Sequence, residues 1–274
     1  MVPAAGAGTC QGGRVLRTIG WGVPTHGLFV ALGVLAAVWV FVHEARRRGH
    51  TDDRLLVVVT GALVGGALFM RLGTWLQHTD LRANASLAEQ WAYGNRSILG
   101  GLVGAWLGVH VAKRLCGYRL RTGDLFAPAV ALGMAVGRIG CLLTELPGTP
   151  TGGSWGITLD GPTAARLGAP AGVPLHPSFL YEIVFQAAAF AVIWWWLRHR
   201  DLPPGETFVL YVAAYGVFRF LVEFVRGNEV VWHGLTRPQL FLAVTIPFVL
   251  LRLAVRVRSG AYRRTTPTEE LVVR

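Results

Sequence analysis

Five ionisable side chains fall inside runs of apolar residues, where a charge is costly to place. They are Arg71, Arg138, Glu182, Arg219 and Glu223. A charged residue at the centre of a spanning helix costs about 2.5 to 3.5 kcal/mol on insertion scales, so such residues usually face a partner or a cavity. Arginine is informative because its planar guanidinium stays charged and binds phosphate through two parallel hydrogen bonds. The pattern predicts a site for an anionic lipid headgroup.

The spacing of these residues predicts one ion pair. Glu223 follows Arg219 by four positions, which places both side chains on one face of a helix. For Arg138, no partner is evident at nearby positions. Arg71, Arg138 and Arg219 all fall toward the same end of the membrane in the predicted topology, so we expect them at one depth.

A second concentration of polar chemistry lies between His176 and Glu182. His176 and Pro177 stand at the junction of a loop and a helix, where proline is tolerated and free backbone N–H groups point toward any anion. Tyr181 and Glu182 follow about one and a half turns into that helix. A lone histidine at a helix start is more often a capping or interface residue. Next to Tyr181 and Glu182, however, His176 becomes a candidate for catalysis.

The elements that position these residues are predicted to be membrane helices. Of 274 residues, 53% are hydrophobic and only 15% are charged, and a spanning helix needs about 20 mostly apolar residues. The net charge of +11 would suggest a nucleic-acid partner in a soluble protein. Here the basic residues form short tracts beside apolar runs, which is typical of membrane topology. The sequence predicts an all-α, polytopic membrane protein with no nucleic-acid partner.

The apolar runs predict seven spans within one integral-membrane domain that comprises residues 1–274. We expect spans at about residues 27–42, 55–76, 98–112, 125–143, 177–197, 207–225 and 239–254. The dense basic tracts follow the first, third, fifth and seventh spans, so the positive-inside rule places the N-terminus outside and the C-terminus in the cytoplasm. The Gly-, Pro- and Thr-rich loop 144–175 is then external, with little apolar periodicity.

The three cysteines, Cys10, Cys116 and Cys141, are far apart and odd in number. Their spacing indicates neither a disulfide framework nor a zinc site, and we expect no metal and no cofactor. Glycines recur in the second, third and fourth spans, including Gly100 and Gly101. Small residues of this kind let helix backbones approach closely.

Three segments carry a resemblance to a known family. Gly137–Gly140 matches a G-R-x-G motif, His176–Glu182 matches H-P-[ST]-Q-L-Y-E except at Phe179, and Arg219–Arg226 matches R-x-x-V-E-F-x-R. In these motifs, and in order along nearly the whole chain, the sequence resembles the prolipoprotein diacylglyceryl transferase family. The resemblance implies lipid binding by Arg138, Arg71, Arg219, Gly100, Gly101 and His26. It implies catalytic roles for Arg138, Arg219, His176, Tyr181, Glu182 and Glu223.

The chemistry implied by the resemblance is an S-alkylation at the bacterial plasma membrane. Family members transfer the diacylglyceryl group of phosphatidylglycerol to the lipobox cysteine thiol in the signal peptide of a prolipoprotein. Glycerol 1-phosphate is released, and this is the first step of lipoprotein maturation. The expected partners are therefore phosphatidylglycerol, prolipoprotein signal peptides and membrane lipids.

Besides Phe179, the sequence departs from the family pattern at three single positions and in the G-E-L stretch, which is reduced to Thr144-Glu145-Leu146. Leu99 stands where the family's H-G-G-L-x-G motif has a histidine proposed as a base, Cys141 replaces an asparagine, and His26 replaces a tyrosine. The base is then His26, His176 or Glu182, unless the basic site acidifies the incoming thiol itself. Three alternatives remain: a paralogue that uses another acceptor, a lipid-binding protein without catalysis, and a transporter. The last is weakened because no internal repeat is visible.

Overall fold

The computed structural model describes residues 18–19, 23–77 and 97–262, and these are mostly helical. Within these ranges, seven helices are long and apolar enough to cross a membrane. They are α1 (Thr25–Arg47), α2 (Arg54–Gln77), α3 (Ile98–Cys116), α4 (Gly123–Thr144), α6 (Ser178–Trp195), α7 (Glu206–Val222) and α8 (Arg237–Arg258), with a short α5 (Gly161–Leu167) in a loop. The prediction of an all-α membrane protein with about seven spans is confirmed.

Several helices extend past their predicted ends into basic tracts. Helix α1 continues to Arg47 because the buried Glu44 carboxylate accepts hydrogen bonds from Arg47, at 2.5 and 2.9 Å, and from Arg48, at 2.8 Å. Helix α3 continues to Cys116, where Gly117 ends it in the left-handed conformation with a φ of 68°. Basic side chains in the last turn are favourable because they face the negative end of the helix dipole.

The chain divides into two compact units, one of residues 42–122 and one of the remaining residues. In the 42–122 unit, α2 and α3 pack through facing glycines. A Cβ atom built on Gly61 would lie 2.6 Å from the carbonyl oxygen of Gly108, and one on Gly65 would overlap the backbone of Gly104. The expectation that glycines permit close helix packing is confirmed for this pair of helices.

The other unit contains most of α1, all of α4 and the helices that follow. Helices α1 and α4 cross closely at glycines, since a Cβ on Gly33 would lie 2.6 Å from the carbonyl oxygen of Gly133. At the start of α4, buried Asp124 accepts hydrogen bonds from the backbone N–H groups of Gly205, at 2.8 Å, and Thr207, at 3.1 Å. These bonds fix α4 against the first turn of α7.

The loop predicted at 144–175 contains local structure that its composition does not indicate. Two short strands pair in it, and Asp160 caps the N-terminus of α5 by accepting from Thr163 N–H at 2.9 Å. Leu159, Ala164 and Leu175 are buried together there. The strands are β1 (Thr18–Ile19), β2 (Val23–Pro24), β3 (Ile157–Thr158), β4 (Pro174–Leu175), β5 (Val230–Trp232) and β6 (Leu235–Thr236), paired as antiparallel β1–β2, β3–β4 and β5–β6.

Candidate active site

Five charged side chains lie buried together where α4, α6 and the end of α7 meet. We call them the arginine cluster: Arg138, Glu182, Arg219, Glu223 and Arg226. Their side chains are 0 to 13% exposed. Three positive and two negative charges leave an excess of one positive charge. Buried charges are stable only when they are paired or bind a ligand, so this excess indicates an anion site.

Glu182 joins two of the arginines. Its Oε2 lies 2.5 Å from Arg138 Nη2, and its Oε1 accepts a hydrogen bond from Arg226 Nη1 at 2.5 Å. Both guanidinium groups also lie near the Phe179 ring, with Cζ-to-centroid distances of 5.7 and 4.7 Å. Burial lowers the pKa of Arg226 while Glu182 opposes that change, and a guanidinium stays protonated throughout. The partner of Arg138 is therefore Glu182, 44 residues away.

Glu223 organises the other end of the cluster. It forms the predicted ion pair with Arg219, and its Oε1 accepts from Asn228 at 2.7 Å and from Thr236 at 2.9 Å. Helix α7 ends at Val222, so Glu223 stands in a 3-10 turn, Glu223–Val225, that also places Arg226. With all these donors, the Glu223 carboxylate holds the cluster together and is not free to take a proton.

Two guanidinium groups of the cluster keep buried donors that make no well-aligned hydrogen bond within the described residues, although the Tyr215 hydroxyl lies beside Arg138. These donors are the Nε atoms of Arg138 and Arg219. Arg138 Nη2 forms an ion pair with Glu182 Oε2 at 2.5 Å, but the two atoms are not aligned as a hydrogen bond. Unsatisfied buried donors are costly, by about 1 to 3 kcal/mol or more for charged groups. Such donors are suited to a ligand that carries several acceptor oxygens, such as a phosphate.

His176 and Tyr181 lie together at the loop that precedes α6. His176 Nδ1 is 3.1 Å from Tyr181 Oη, and the Trp155 ring lies edge-on to the imidazole at a centroid distance of 5.1 Å. The loop backbone holds this position, because Gly148 N–H donates to the His176 carbonyl at 2.7 Å. A Cβ on Gly148 would overlap the Val225 carbonyl oxygen, so glycine permits the loop to contact the turn before Arg226.

His26 lies in the same unit, where α1 and α4 cross closely. A Cβ on Gly140 would lie 3.2 Å from His26 Cα, so the glycine lets the two backbones meet. His26 Nδ1 then lies 3.5 Å from Glu145 Oε1 and 3.9 Å from Cys141 Sγ, and Arg138 Nη1 lies 3.6 Å from the same sulfur. The ligand atoms of His26, Cys141 and Glu145 all lie within 4.8 Å of one another, a grouping that the sequence did not indicate, and the expected absence of a metal stays a prediction.

The other predicted lipid-binding residues lie in the 42–122 unit. Arg71 is half-buried in the last part of α2. Gly100 packs against the Phe69 carbonyl, where a Cβ would approach to 2.6 Å, and Gly101 faces Gly66 and Met70. Close helix packing accounts for glycine at both positions. The lipid contacts predicted for Gly100, Gly101 and Arg71 stay predictions.

Four residues of this region lie outside the predicted set of site residues. Arg226 carries a spacing signal, because it follows Arg219 by seven positions and so falls on the same helical face. Asn228 and Thr236 carry no such signal, since they reach Glu223 only because the chain turns back after α7. Glu145 belongs to the family's G-E-L stretch, but its contact with His26 depends on the packing of α1 against the end of α4.

Comparison with known proteins identifies the class. The family model for prolipoprotein diacylglyceryl transferase matches residues 14–257. The chain is 33% identical over 246 residues to the phosphatidylglycerol–prolipoprotein diacylglyceryl transferase of Geobacter sulfurreducens, covering 85% of this chain and 89% of that protein. It is 32% identical over 251 residues to the enzyme of the same name from Pseudomonas paraeruginosa, covering 87% and 89%. A third relative of that name, from Dehalococcoides mccartyi, is 30% identical over 240 residues, covering 84% and 89%.

The chain therefore belongs to the prolipoprotein diacylglyceryl transferase family, and it is a multi-pass membrane transferase. Its activity is diacylglyceryl transfer, the first step of lipoprotein maturation. The functional prediction from the three motifs is confirmed at this level.

Proposed function

We propose that this chain takes the diacylglyceryl group from phosphatidylglycerol and transfers it to the lipobox cysteine thiol of a prolipoprotein signal peptide. The observation that carries the choice of lipid is the buried excess of one positive charge in the arginine cluster. The phosphodiester of phosphatidylglycerol carries one negative charge. Its binding would neutralise the cluster, whereas a zwitterionic headgroup would bring a further cation into it.

The arginines act on the leaving group. When the carbon–oxygen bond to the phosphate breaks, negative charge grows on the departing phosphate oxygens. Fixed donors in a buried site stabilise such charge without reorganisation, and one donor is typically worth a factor of about 100 to 1,000 in rate. The Nε groups of Arg138 and Arg219 are the donors available for this task, while Glu182 and Glu223 hold the arginines in place.

The acceptor thiol must lose its proton, because the thiolate is the nucleophile. Glu182 is poorly suited to take that proton since it faces Arg138 and Arg226. His176, oriented by Tyr181 Oη at 3.1 Å, and His26 are the better-placed bases. Tyr181 is then a positioning residue that directs the imidazole.

The site faces outside in this proposal. We place the N-terminus and the loop 144–175 outside the bacterial plasma membrane and the C-terminus in the cytoplasm. The argument is the clustering of basic residues at alternate helix ends. The arginine cluster lies near the outer ends of α4 and α7, so it would meet the outer leaflet.

The test is transfer by purified protein in mixed micelles that contain phosphatidylglycerol and a lipobox peptide, with thioether product measured by mass spectrometry. Arg138→Ala should lower turnover by about 100-fold or more, yet Glu182 keeps Arg226 as a partner, so folding should survive. Arg252→Ala is the matched control. It also removes an ion-pair partner from a buried carboxylate, Glu206, about 20 Å along α7 from Arg219, and it should retain activity.

Two results would contradict the proposal. One is wild-type turnover by Arg138→Ala, which would show that the cluster does not stabilise the departing phosphate. The other is the absence of thioether product with any lipobox peptide although phosphatidylglycerol binds in a manner that depends on Arg138. The chain would then be a lipid-binding relative with another acceptor or none.

A further inference from the structure

The contacts that His26 makes with Cys141 and Glu145 are long. One atom, His26 Nδ1, makes both contacts, at 3.5 Å to Glu145 Oε1 and 3.9 Å to Cys141 Sγ. A hydrogen bond between nitrogen and oxygen is usually about 2.7 to 3.2 Å long. The Cys141 thiol can itself donate a proton to a neighbour, but no short hydrogen bond joins His26 Nδ1 to Cys141 or to Glu145.

The two separations from His26 Nδ1 are close to those expected for three ligands around one metal ion. Zinc binds histidine nitrogen at about 2.0 to 2.1 Å, cysteine sulfur at about 2.3 Å and carboxylate oxygen at about 2.0 to 2.2 Å. Tetrahedral geometry at these lengths puts nitrogen about 3.4 Å from oxygen and about 3.6 Å from sulfur. The observed distances are 3.5 and 3.9 Å, and all three ligand atoms lie within 4.8 Å of one another.

We propose that His26, Cys141 and Glu145 bind a zinc ion whose fourth ligand is the thiol of the acceptor cysteine. The proposal rests on the transfer function proposed above and names how its thiolate is formed. Zinc is favoured because imidazole, thiolate and carboxylate in a tetrahedral arrangement suit it better than they suit calcium or magnesium, which select all-oxygen sites.

The exposure of the three side chains leaves room for that fourth ligand. Cys141 is buried, while His26 and Glu145 are 36% and 44% exposed. A metal ion here would be covered on the Cys141 side and open on the opposite side. Three protein ligands with one open position are typical of catalytic zinc, whereas structural zinc usually has four protein ligands.

The position of this group connects it to the arginine cluster. Arg138 Nη1 lies 3.6 Å from Cys141 Sγ, and Arg138 Nη2 lies 2.5 Å from Glu182 Oε2. A thiolate held by the metal would therefore stand beside the guanidinium that faces the phosphate. The charges also agree, because Zn²⁺ with one thiolate and one carboxylate is neutral. Such a complex adds no net cation next to Arg138.

The proposed step is balanced without any redox partner. The acceptor thiol binds zinc and releases its proton to solvent water at the open side, since a thiol that coordinates a metal ion is deprotonated. The thiolate sulfur then forms a bond to the glyceryl carbon, and the bond from that carbon to the phosphate oxygen breaks. The electron pair leaves on the glycerol phosphate near the arginines, and the neutral thioether dissociates from zinc.

Metal binding is tested on full-length protein in detergent with Cys10 replaced by serine. After treatment with a chelator, the protein is titrated with Zn²⁺ for metal analysis and with Co²⁺ for absorption spectroscopy. We expect about one metal ion per chain and a thiolate-to-cobalt charge-transfer band. Cys141→Ser should abolish the band and weaken zinc binding by at least about 10-fold. Cys116→Ser, which removes the other described thiol, should change neither.

A second variant is needed because substitution of the buried Cys141 could prevent folding and so abolish metal binding indirectly. Glu145→Gln alters an exposed side chain and should also weaken zinc by at least about 10-fold, whereas the exposed Glu229→Gln should have no effect. A missing charge-transfer band, or equal zinc affinity in wild type, Cys141→Ser and Glu145→Gln, would overturn the proposal.

The role of the metal ion is tested separately from its binding. A lipobox peptide should change the cobalt spectrum, and the same peptide with serine in place of cysteine should not. Chelation should lower thioether formation by about 100-fold, and Zn²⁺ should restore it. If chelated protein turns over at the full rate, the zinc step is wrong and the transfer function stands. If zinc-loaded protein binds the peptide thiol but forms no thioether, the proposed transfer function fails instead.

Discussion

Arg138 Nη2 lies 2.5 Å from Glu182 Oε2, with the two side chains 6% and 0% exposed. The contact lacks the alignment of a hydrogen bond, whereas the other oxygen of Glu182 accepts a hydrogen bond from Arg226. One carboxylate thus holds two guanidinium groups near each other against their mutual repulsion. Because both arginines share this carboxylate, removal of Glu182 should lower stability more than removal of either arginine.

Glu182→Gln should destabilise the protein by about 3 to 5 kcal/mol, because it leaves Arg138 and Arg226 buried without their shared counter-charge. The measurement is thermal unfolding in detergent, with and without an anionic phospholipid. The lipid should restore part of the lost stability by supplying negative charge. Glu229→Gln breaks an exposed pair with Arg237 and should change stability by less than about 1 kcal/mol. Equal effects of the two substitutions would argue against a buried ionic cluster.

Arg226→Lys should lower turnover by about 10-fold and Arg226→Ala by about 100-fold. Lysine keeps the charge toward Glu182, but it loses the planar group that lies over the Phe179 ring. The measurement is steady-state transfer at varied phosphatidylglycerol concentration. The matched control is Arg237→Lys, on the exposed pair with Glu229, which should behave as wild type. A wild-type rate for Arg226→Ala would show that Arg226 has no part in transfer and would leave Arg138 and Arg219 as the arginines that act on the phosphate.

Much of the fold follows from local sequence. Apolar runs and basic tracts predict seven helices, because a span requires about 20 apolar residues. A membrane helix also satisfies its own backbone hydrogen bonds, so it can be recognised without knowing which elements pack against it. The ends are harder to predict. Helix α1 continues into a basic tract because Glu44 pairs with Arg47 and Arg48. The short β3–β4 pair was not predicted because its residues show no alternation of apolar and polar side chains.

The site was predictable only where partners are close in sequence. The pair of Arg219 and Glu223 follows from their spacing of four. The pairing of Arg138 with Glu182 joins two different helices, and His26 meets Cys141 because two glycine-containing helix faces cross. Single-sequence reasoning supplies the residue types for such contacts but not the packing that brings them together.

The proposed orientation can be measured by accessibility of introduced cysteines. In a background without Cys10 and Cys116, Ser154→Cys and Arg166→Cys should react with a membrane-impermeant thiol reagent from outside intact cells. Arg46→Cys should react only after permeabilisation. All three positions are exposed, so a lack of labelling would reflect the membrane side. Labelling of Arg46→Cys alone in intact cells would reverse the topology and place the arginine cluster at the cytoplasmic face.

The last prediction concerns the base, because Leu99 stands where the family motif has a histidine. If His176 accepts the thiol proton, His176→Ala should lower turnover by about 100-fold or more while lipid binding persists. Tyr181→Phe, which removes the hydroxyl 3.1 Å from Nδ1, should have a smaller effect on turnover and none on lipid affinity. The measurement is single-turnover transfer at saturating lipid, which separates the chemical step from binding.

Comparison with His26→Ala then decides between a protein base and a metal-held thiolate. A large loss in His26→Ala with a nearly normal rate in His176→Ala assigns thiol activation to the group around Cys141. The opposite pattern assigns it to the imidazole beside Tyr181. If both variants stay active, the arginines alone acidify the thiol, and the rate should follow the ionisation of the acceptor peptide when its thiol pKa is varied. Leu99→His adds a final check, since a gain in rate would support the role in thiol activation that the family motif implies for position 99.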